Sequence, residues 1–152
     1  MSATKSLLCI DAGNSMVKWC LHANSRQPFT VVRALKSEPT ALFKPFSNAL
    51  PEVLAHLGAT VNESDYPIEA VLLSNVLGPD FETAVRGLCE QHKLPLHVLA
   101  VNSRAQVQSA YKNPASLGKD RWAACLAVSQ ISVAKVNLLV SFGTATTLDA
   151  VV

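Results

Sequence analysis

A glycine-centred segment near the start of the chain carries residue types suited to binding phosphate. It begins at Asp11 and reads Asp-Ala-Gly-Asn-Ser-Met-Val-Lys. Gly13 at the tip of a tight hairpin would let a phosphate approach backbone N–H groups, and Asn14 and Ser15 add side-chain donors. Lys18 can balance phosphate charge, while Asp11 can hold a magnesium ion directly or through water. Taken alone, the segment also fits an ordinary hairpin turn whose Gly-Asn pair supplies a positive φ.

A second segment of the same kind occurs near the end of the chain. It reads Phe-Gly-Thr-Ala-Thr-Thr-Leu-Asp and contains Gly143 followed by Thr144, the candidate nucleotide contact. Two such hairpins that face one cleft would hold a nucleotide's phosphates from both sides, as a phosphotransferase requires. Weaker candidates follow on the same segment: Thr146, Thr147 and Asp149.

Between these two segments lies an unusual concentration of polar and aromatic residues. It reads Tyr-Lys-Asn-Pro-Ala-Ser-Leu-Gly-Lys-Asp-Arg-Trp (residues 111–122), and its Asn-Pro pair and Gly118 predict a structured loop that leads into a helix. Asp120 is suited to act as general base toward a substrate hydroxyl, and Arg121 to anchor a carboxylate. The competing interpretation is structural: a helix-capping aspartate, a solvated arginine and a tryptophan that faces the core.

Composition restricts the class of protein. The chain has 152 residues, of which 49% are hydrophobic and only 16% charged, so it must fold. A net charge of +2 gives no electrostatic footprint for a nucleic acid. The apolar run before Asp11 is too short for a signal peptide, and no stretch predicts a membrane span. We therefore expect a soluble cytoplasmic protein that binds neither nucleic acid nor membrane.

Other catalytic chemistries have little support in the sequence. The four cysteines form no Cys-x-x-Cys pair, which predicts buried thiols of a reduced compartment rather than disulfides or a zinc site. The four histidines are dispersed without metal-ligand spacing. No serine lies in a Gly-x-Ser-x-Gly elbow, so nothing indicates a hydrolase triad.

The elements that must position these residues follow from hydrophobic periodicity. The pattern predicts a hairpin, a third strand, and then alternating helices and strands. The predicted strands are 6–13, 16–23, 29–35, 70–76 and 94–101, the last two buried, and the predicted helices are 46–57, 78–92 and 120–133. This order predicts an α/β fold, a mixed sheet with flanking helices laid out as in a ribonuclease-H-like domain.

The end of the chain repeats its beginning in outline. Residues 137–152 form an apolar run, a glycine with a small polar residue, and a second apolar run, as residues 6–23 do. We therefore expect one ribonuclease-H-like domain over residues 1–135. Residues 136–152 would then be the first hairpin of a second such domain, and would carry apolar surface that the second domain covers.

Taken together, the three segments resemble type III pantothenate kinase, the Bvg accessory factor family. All three occur in the family's order, and the loop at residues 111–122 is the most specific of them. The resemblance begins near Leu7, continues to Val152, and corresponds to the first half, or slightly more, of a family member. It implies the fold superfamily of actin and the sugar kinases, and transfer of phosphate from ATP to pantothenate at the start of coenzyme A synthesis.

The resemblance also implies residue roles. The phosphate-binding and nucleotide-binding positions of the family match Asp11, Gly13, Asn14, Ser15, Lys18, Gly143 and Thr144, with magnesium at Asp11. Its pantothenate-binding positions match Tyr111, Gly118, Lys119, Asp120 and Arg121, and Asp120 matches the proton acceptor. Family members are homodimers, so a homodimer is expected here.

One position departs from the family pattern. The family commonly has aspartate two residues before the second glycine, where it serves a monovalent cation such as potassium, and this chain has Ser141. A hydroxyl is a poor replacement for a carboxylate, so we do not expect a potassium site of the usual kind. Two alternatives stay open: a non-catalytic accessory protein on the same fold, or a kinase for another small hydroxylated acid.

Overall fold

The computed structural model describes residues 5–23, 31–43, 67–101 and 107–152. The chain divides into two compact units, Met1–Val98 and Leu99–Val152. The helix predicted over residues 46–57 lies outside the described residues. The second ribonuclease-H-like domain, predicted to start at residue 136, rests on the sequence repeat between the two glycine segments. The division into compact units does not test this repeat, so the domain start stays a prediction.

The first unit is built on a mixed five-stranded sheet, as the sequence predicts. The spatial order is β3-β2-β1-β4-β5. β1, β2 and β3 pair antiparallel, whereas β4 pairs parallel with both β1 and β5. The strands are β1 (Ser6–Ala12), β2 (Met16–Ala23), β3 (Val31–Pro39), β4 (Ile68–Asn75) and β5 (Leu96–Val98).

One face of this sheet forms the core with helix α1 (Pro79–Gln91). β1 alternates strictly, so that its even-numbered residues are buried and its odd-numbered residues half-buried. Phe81, Val85 and Cys89, spaced along one stripe of α1, are buried in the same cluster. The helix predicted over residues 78–92 is thus confirmed. The strand residues of the cluster are Leu8, Ile10, Ala12, Val17, Trp19, Leu21, Val71 and Leu73.

Two sequence predictions in this unit need correction. The buried strand predicted over residues 94–101 is wrong: β5 covers only three residues, lies at the sheet edge, and exposes His97. Leu96 and Val98 pack against the core cluster on one face, whereas His97 on the other face is exposed, so the strand is covered on one face only. The prediction of four buried thiols holds for Cys89 and Cys125, while Cys9 and Cys20 are half-buried; all four are free.

The second unit places a helix against a two-stranded hairpin. A short 3-10 turn (Pro114–Ser116) leads to α2 (Lys119–Ile131), which contacts both β6 (Asn137–Phe142) and β7 (Thr146–Val151). β6 and β7 pair antiparallel, which confirms the predicted second hairpin. The helical side of the hairpin carries half-buried Leu139 and Asp149. The opposite face exposes Leu138, Val140, Phe142 and Leu148.

Candidate active site

The first glycine segment forms a three-residue turn between β1 and β2. The Gly13 N–H donates to the Met16 carbonyl oxygen at 3.0 Å, and Asn14 and Ser15 are exposed at the tip. A Cβ added at Gly13 would lie only 3.0 Å from the same oxygen. Among the described residues, positive φ occurs at Gly78 and Lys93, not at this turn. Glycine is therefore needed here for close backbone approach, not for positive φ as in an ordinary Gly-Asn turn.

Thr40, which the sequence patterns do not identify as a candidate, fixes the backbone of this turn. The Thr40 hydroxyl donates to the Gly13 carbonyl oxygen at 2.6 Å, and the Thr40 N–H donates to the Ser15 carbonyl oxygen at 2.9 Å. Thr40 is only 2% exposed, directly after β3. Both ends of the turn are thus tied to one buried residue, which holds its backbone in a fixed shape while its tip stays open to solvent.

Asp11 lies in a row of polar residues on the sheet face opposite the α1 side. Lys18 on β2 and Ser74 on β4 are its direct neighbours in register. The Lys18 Nζ is 3.9 Å from Asp11 Oδ2, and both side chains are substantially exposed. No group of three histidine, cysteine, aspartate or glutamate side chains in the described residues is arranged to hold a metal. One carboxylate suffices for magnesium when phosphate and water complete its octahedron, so Asp11 fits that role with a nucleotide present.

The loop at residues 111–118 is ordered by its own polar groups. Asn113 Oδ1 accepts from the Ala115 N–H at 3.2 Å and Asn113 caps the 3-10 turn. Leu117 is buried and anchors the loop before α2 begins. Gly118 is the N-cap of α2, with φ −55° and ψ 135°, and its carbonyl oxygen accepts from the Trp122 N–H at 2.9 Å.

Asp120 lies at the second residue of α2 and is exposed. A Cβ added at Gly118 would lie 2.6 Å from Asp120 Oδ1, so the carboxylate occupies the space that a side chain at Gly118 would fill. The structural interpretation of Asp120 as the helix cap is wrong, since Gly118 occupies the N-cap position and no side-chain hydrogen bond caps the start of α2. The Asp120 carboxylate is instead exposed and lies beside the glycine at the start of the helix.

Arg121 makes polar contacts with two other side chains of this unit. Its Nε donates to Asp149 Oδ2 at 2.9 Å and its Nη2 donates to Asp149 Oδ1. Its Nη1 donates to the Tyr111 hydroxyl at 3.1 Å, and the guanidinium carbon lies 5.7 Å from the Tyr111 ring centroid. The hydrogen bond to Asp149, outweighing the effect of burial, raises the pKa of Arg121 above its ordinary value. The interpretation of Arg121 as a solvated side chain is therefore wrong, whereas Trp122 is buried as it predicts.

The second glycine segment also forms a three-residue turn, between β6 and β7. The Gly143 N–H donates to the Ala145 carbonyl oxygen at 3.2 Å, and Thr144 is exposed at the tip. A Cβ at Gly143 would make only an ordinary contact at 3.9 Å, so this turn does not require glycine as strictly as the first. Both hairpins have a three-residue connection. In the first, the glycine N–H donates to the carbonyl oxygen three residues later, and in the second to the one two residues later.

Ser141 lies on β6, directly across from Thr147 on β7. The Thr147 hydroxyl is buried and has no hydrogen-bond partner within the part of the chain that the structure describes. Asp149, two residues further along β7, is engaged by Arg121. Ser141 and Thr147 thus bring two hydroxyl groups together, and the Asp149 carboxylate is already paired with Arg121.

The predicted site residues fall into two groups, one in each compact unit. Asp11, Gly13, Asn14, Ser15 and Lys18 share the tip and end of the first hairpin. The second unit carries the predicted substrate residues Tyr111, Gly118, Lys119, Asp120 and Arg121 at the start of α2, and Gly143 and Thr144 at the tip of the second hairpin. Among the helices described, none is both long and apolar enough to cross a membrane.

The fold resembles that of a solved structure with little sequence similarity. The Aquifex aeolicus member of the Ppx/GppA protein family matches with a TM-score of 0.52 at 12% identity, and the match covers 97% of this chain and 50% of that one. At this identity the likeness concerns the fold alone. Together with the mixed sheet, it confirms the predicted ribonuclease-H-like fold.

Sequence comparison identifies the family. A type III pantothenate kinase from Nitrosomonas eutropha is 34% identical over an alignment of 152 positions, which covers 98% of this chain and 52% of that protein. One from Paraburkholderia phytofirmans is 33% identical over an alignment of 148 positions, which covers 94% of this chain and 47% of that protein. The chain thus spans about half the length of the curated relatives it matches. The family model for type III pantothenate kinase matches residues 7–152, and the chain belongs to that family.

Proposed function

We propose that this chain supplies the phosphate-binding hairpin and the substrate loop of a pantothenate kinase. The reaction transfers the γ-phosphoryl group of ATP to the primary hydroxyl of pantothenate, giving 4'-phosphopantothenate and ADP. This is the first step toward coenzyme A. The observation that carries the proposal is the start of α2, where an exposed Asp120 is followed by an Arg121 that two other side chains hold in place.

Pantothenate has a carboxylate at one end and the reactive hydroxyl at the other, and the two residues suit these two groups. Consecutive side chains on a helix point about 100° apart, so Asp120 and Arg121 are aimed at different parts of a ligand. Asp120 accepts the hydroxyl proton as the oxygen bonds to the γ-phosphorus, while the bond to ADP breaks. Arg121 binds the carboxylate, and Tyr111, Gly118 and Lys119 complete the substrate site.

The two glycine hairpins supply the phosphate contacts in this proposal. Backbone N–H groups of the first turn and the side chains of Asn14, Ser15 and Lys18 bind the phosphates, while Gly13 permits the close approach. Asp11 would hold the magnesium ion of the nucleotide, which would supply charge neutralisation on the transferred group. Gly143 and Thr144 bind the nucleotide from the second hairpin.

The proposal includes no potassium site of the family's usual kind. Ser141 lacks a carboxylate, and the neighbouring Asp149 is paired with Arg121. We further propose a homodimer located in the cytoplasm, supported by the family membership of residues 7–152. Size-exclusion chromatography with light scattering tests the dimer.

A second candidate is a kinase for another small hydroxylated acid. Arg121 favours it to the same degree as pantothenate, because a guanidinium binds any carboxylate of suitable reach. A panel of hydroxylated acids, assayed for ADP release, separates the two: pantothenate should give the highest kcat/KM.

Substitution of the proposed base tests the mechanism. We expect Asp120→Asn, in the protein at full family length, to lower kcat about a hundredfold or more, the contribution of a positioned base. The assay is ADP release with pantothenate and magnesium ATP. Asp80→Asn is the matched control, because Asp80 is also the second residue of a 13-residue helix with a glycine N-cap.

The control separates catalysis from helix stability. Both substitutions remove an acid from the first turn of a helix and weaken its favourable interaction with the helix dipole to a similar extent. A large loss of kcat in Asp120→Asn with full activity in Asp80→Asn supports the base assignment. Near-normal kcat in Asp120→Asn, or equal losses in the two variants, would refute it.

A further inference from the structure

Asp149 lies in the second unit and has no assigned role in the proposed reaction. It lies on the side of β7 that faces α2, and both carboxylate oxygens accept hydrogen bonds from Arg121. The exposed fraction of the two side chains is 12% for Asp149 and 22% for Arg121. Such a two-pronged, partly buried pair fixes the plane of the guanidinium as well as its position.

Arg121 keeps donors to spare in this arrangement. A guanidinium carries five N–H groups. Asp149 accepts two of them and the Tyr111 hydroxyl accepts a third, which leaves one N–H on each Nη without a partner among the described residues. Asp149 therefore holds the Nε–Nη2 edge of the guanidinium and the Tyr111 hydroxyl holds Nη1, while the second N–H of each Nη can still donate to a ligand.

We propose that Asp149 is a positioning residue: it orients Arg121 so that the two remaining N–H groups receive the carboxylate of the substrate. This inference rests on the proposed function. A free arginine side chain has many rotamers and would lose that freedom on binding; the pairing with Asp149 restricts it before the substrate arrives. Asp149 would then control the choice of a carboxylated substrate without touching it.

The sign of one effect separates positioning from simple electrostatics. Asp149 is itself negative, so its charge repels the substrate carboxylate. If charge alone mattered, Asp149→Asn would strengthen binding of pantothenate. If orientation matters, the same substitution weakens it, because the asparagine amide offers one acceptor and one donor to an arginine edge that has only donors.

The test compares pantothenate with its alcohol analogue, in which a hydroxymethyl group replaces the carboxylate. In the protein at full family length, we expect wild type to bind pantothenate more tightly than the alcohol. In Asp149→Asn we expect the KM for pantothenate to rise about tenfold or more, as for one lost hydrogen bond to a charged group. The KM for the alcohol and the kcat for both should change little.

A matched control breaks an arginine–carboxylate pair elsewhere. Glu82→Gln removes the negative charge that pairs with Arg86 at 2.8 Å on the exposed side of α1, and should leave both substrates unaffected. Asp149→Glu keeps the charge but lengthens the side chain, so it should also lose the preference for pantothenate. Circular dichroism and thermal unfolding identify the temperature range in which every variant is folded.

The outcomes are distinct. Loss of the pantothenate preference in Asp149→Asn, with folded protein, supports the inference. An unchanged preference, a tighter binding of pantothenate, or an equal loss for both ligands overturns it and leaves the proposed function intact. Failure of wild type to bind or phosphorylate either ligand overturns the proposed function and this inference with it.

Discussion

Replacing Gly118 by alanine tests how the start of α2 positions the proposed base. The backbone at Gly118, with φ −55° and ψ 135°, is open to any residue, so alanine introduces no backbone strain. The only conflict is steric. The new Cβ would lie 2.6 Å from Asp120 Oδ1, 3.7 Å from Asp120 Cγ and 3.8 Å from Arg121 Cδ.

The substitution should lower activity strongly and change stability little. Ordinary contact requires about 3.5 Å, so the carboxylate oxygen must move by about 1 Å. A displacement of about 1 Å at a reacting group costs about a hundredfold in rate. Stability should change little, because the atom that gives way ends a flexible side chain and two backbone effects oppose each other. A compatible glycine to alanine change stabilises by about 0.4–1 kcal/mol, but alanine is a poorer N-cap residue than glycine by a similar amount. The Tm should therefore stay within about 2 °C of wild type.

The assay measures kcat for pantothenate phosphorylation at full family length and the Tm of the 152-residue chain. Gly87→Ala, in the middle of α1, is the matched control, because a Cβ there meets nothing within 4 Å. It should raise the Tm and leave kcat unchanged. Wild-type kcat in Gly118→Ala would refute the steric positioning of Asp120. A clear loss of Tm would show that Gly118 serves the fold instead.

Three further predictions concern the hairpins. Thr40→Val removes the hydroxyl that donates to the Gly13 carbonyl oxygen at 2.6 Å and should lower the free energy of unfolding by about 1–2 kcal/mol in urea titrations; Thr40→Ser should lose clearly less. Burial, with a smaller effect of Cys20, raises the pKa of Cys9 from its ordinary value near 9 to about 11. The stability that this group contributes is full below about pH 9 and is lost as the pH rises toward 11. Iodoacetamide labelling of Cys9 in the native chain should thus reach its midpoint near pH 11, and a midpoint near 9 would contradict the burial of the thiol. Phe142 is 84% exposed on the apolar face of the second hairpin, so Phe142→Ser should reduce self-association of the chain in light scattering, and an unchanged apparent mass would contradict this.

The sequence predicted the elements whose signal is local. The helix predicted over residues 78–92 is found at Pro79–Gln91, and both hairpins are found where a glycine separates two apolar runs. Hydrophobic period and turn glycines act over a few residues, so they can be read without knowing the fold. The length of β5 could not be read in this way, because burial of an edge depends on what packs beside it.

The contacts that hold the candidate site together could not be predicted from local sequence patterns. Thr40 and Gly13 are 27 residues apart, and Arg121 and Asp149 are 28 residues apart. Each pair meets only because strands and a helix bring distant positions together. Asp149 stood in the sequence as a weak candidate for nucleotide binding, and only the structure reveals its pairing with Arg121.

Identification of the reaction product tests the central claim most directly. The protein at full family length is incubated with pantothenate and magnesium ATP, and the products are analysed by mass spectrometry and by phosphorus NMR. We expect 4'-phosphopantothenate and ADP in equal amounts, with the phosphate on the primary hydroxyl. ADP without phosphopantothenate, or no binding of either ligand by calorimetry, would contradict the account, and the second result would favour a non-catalytic accessory protein.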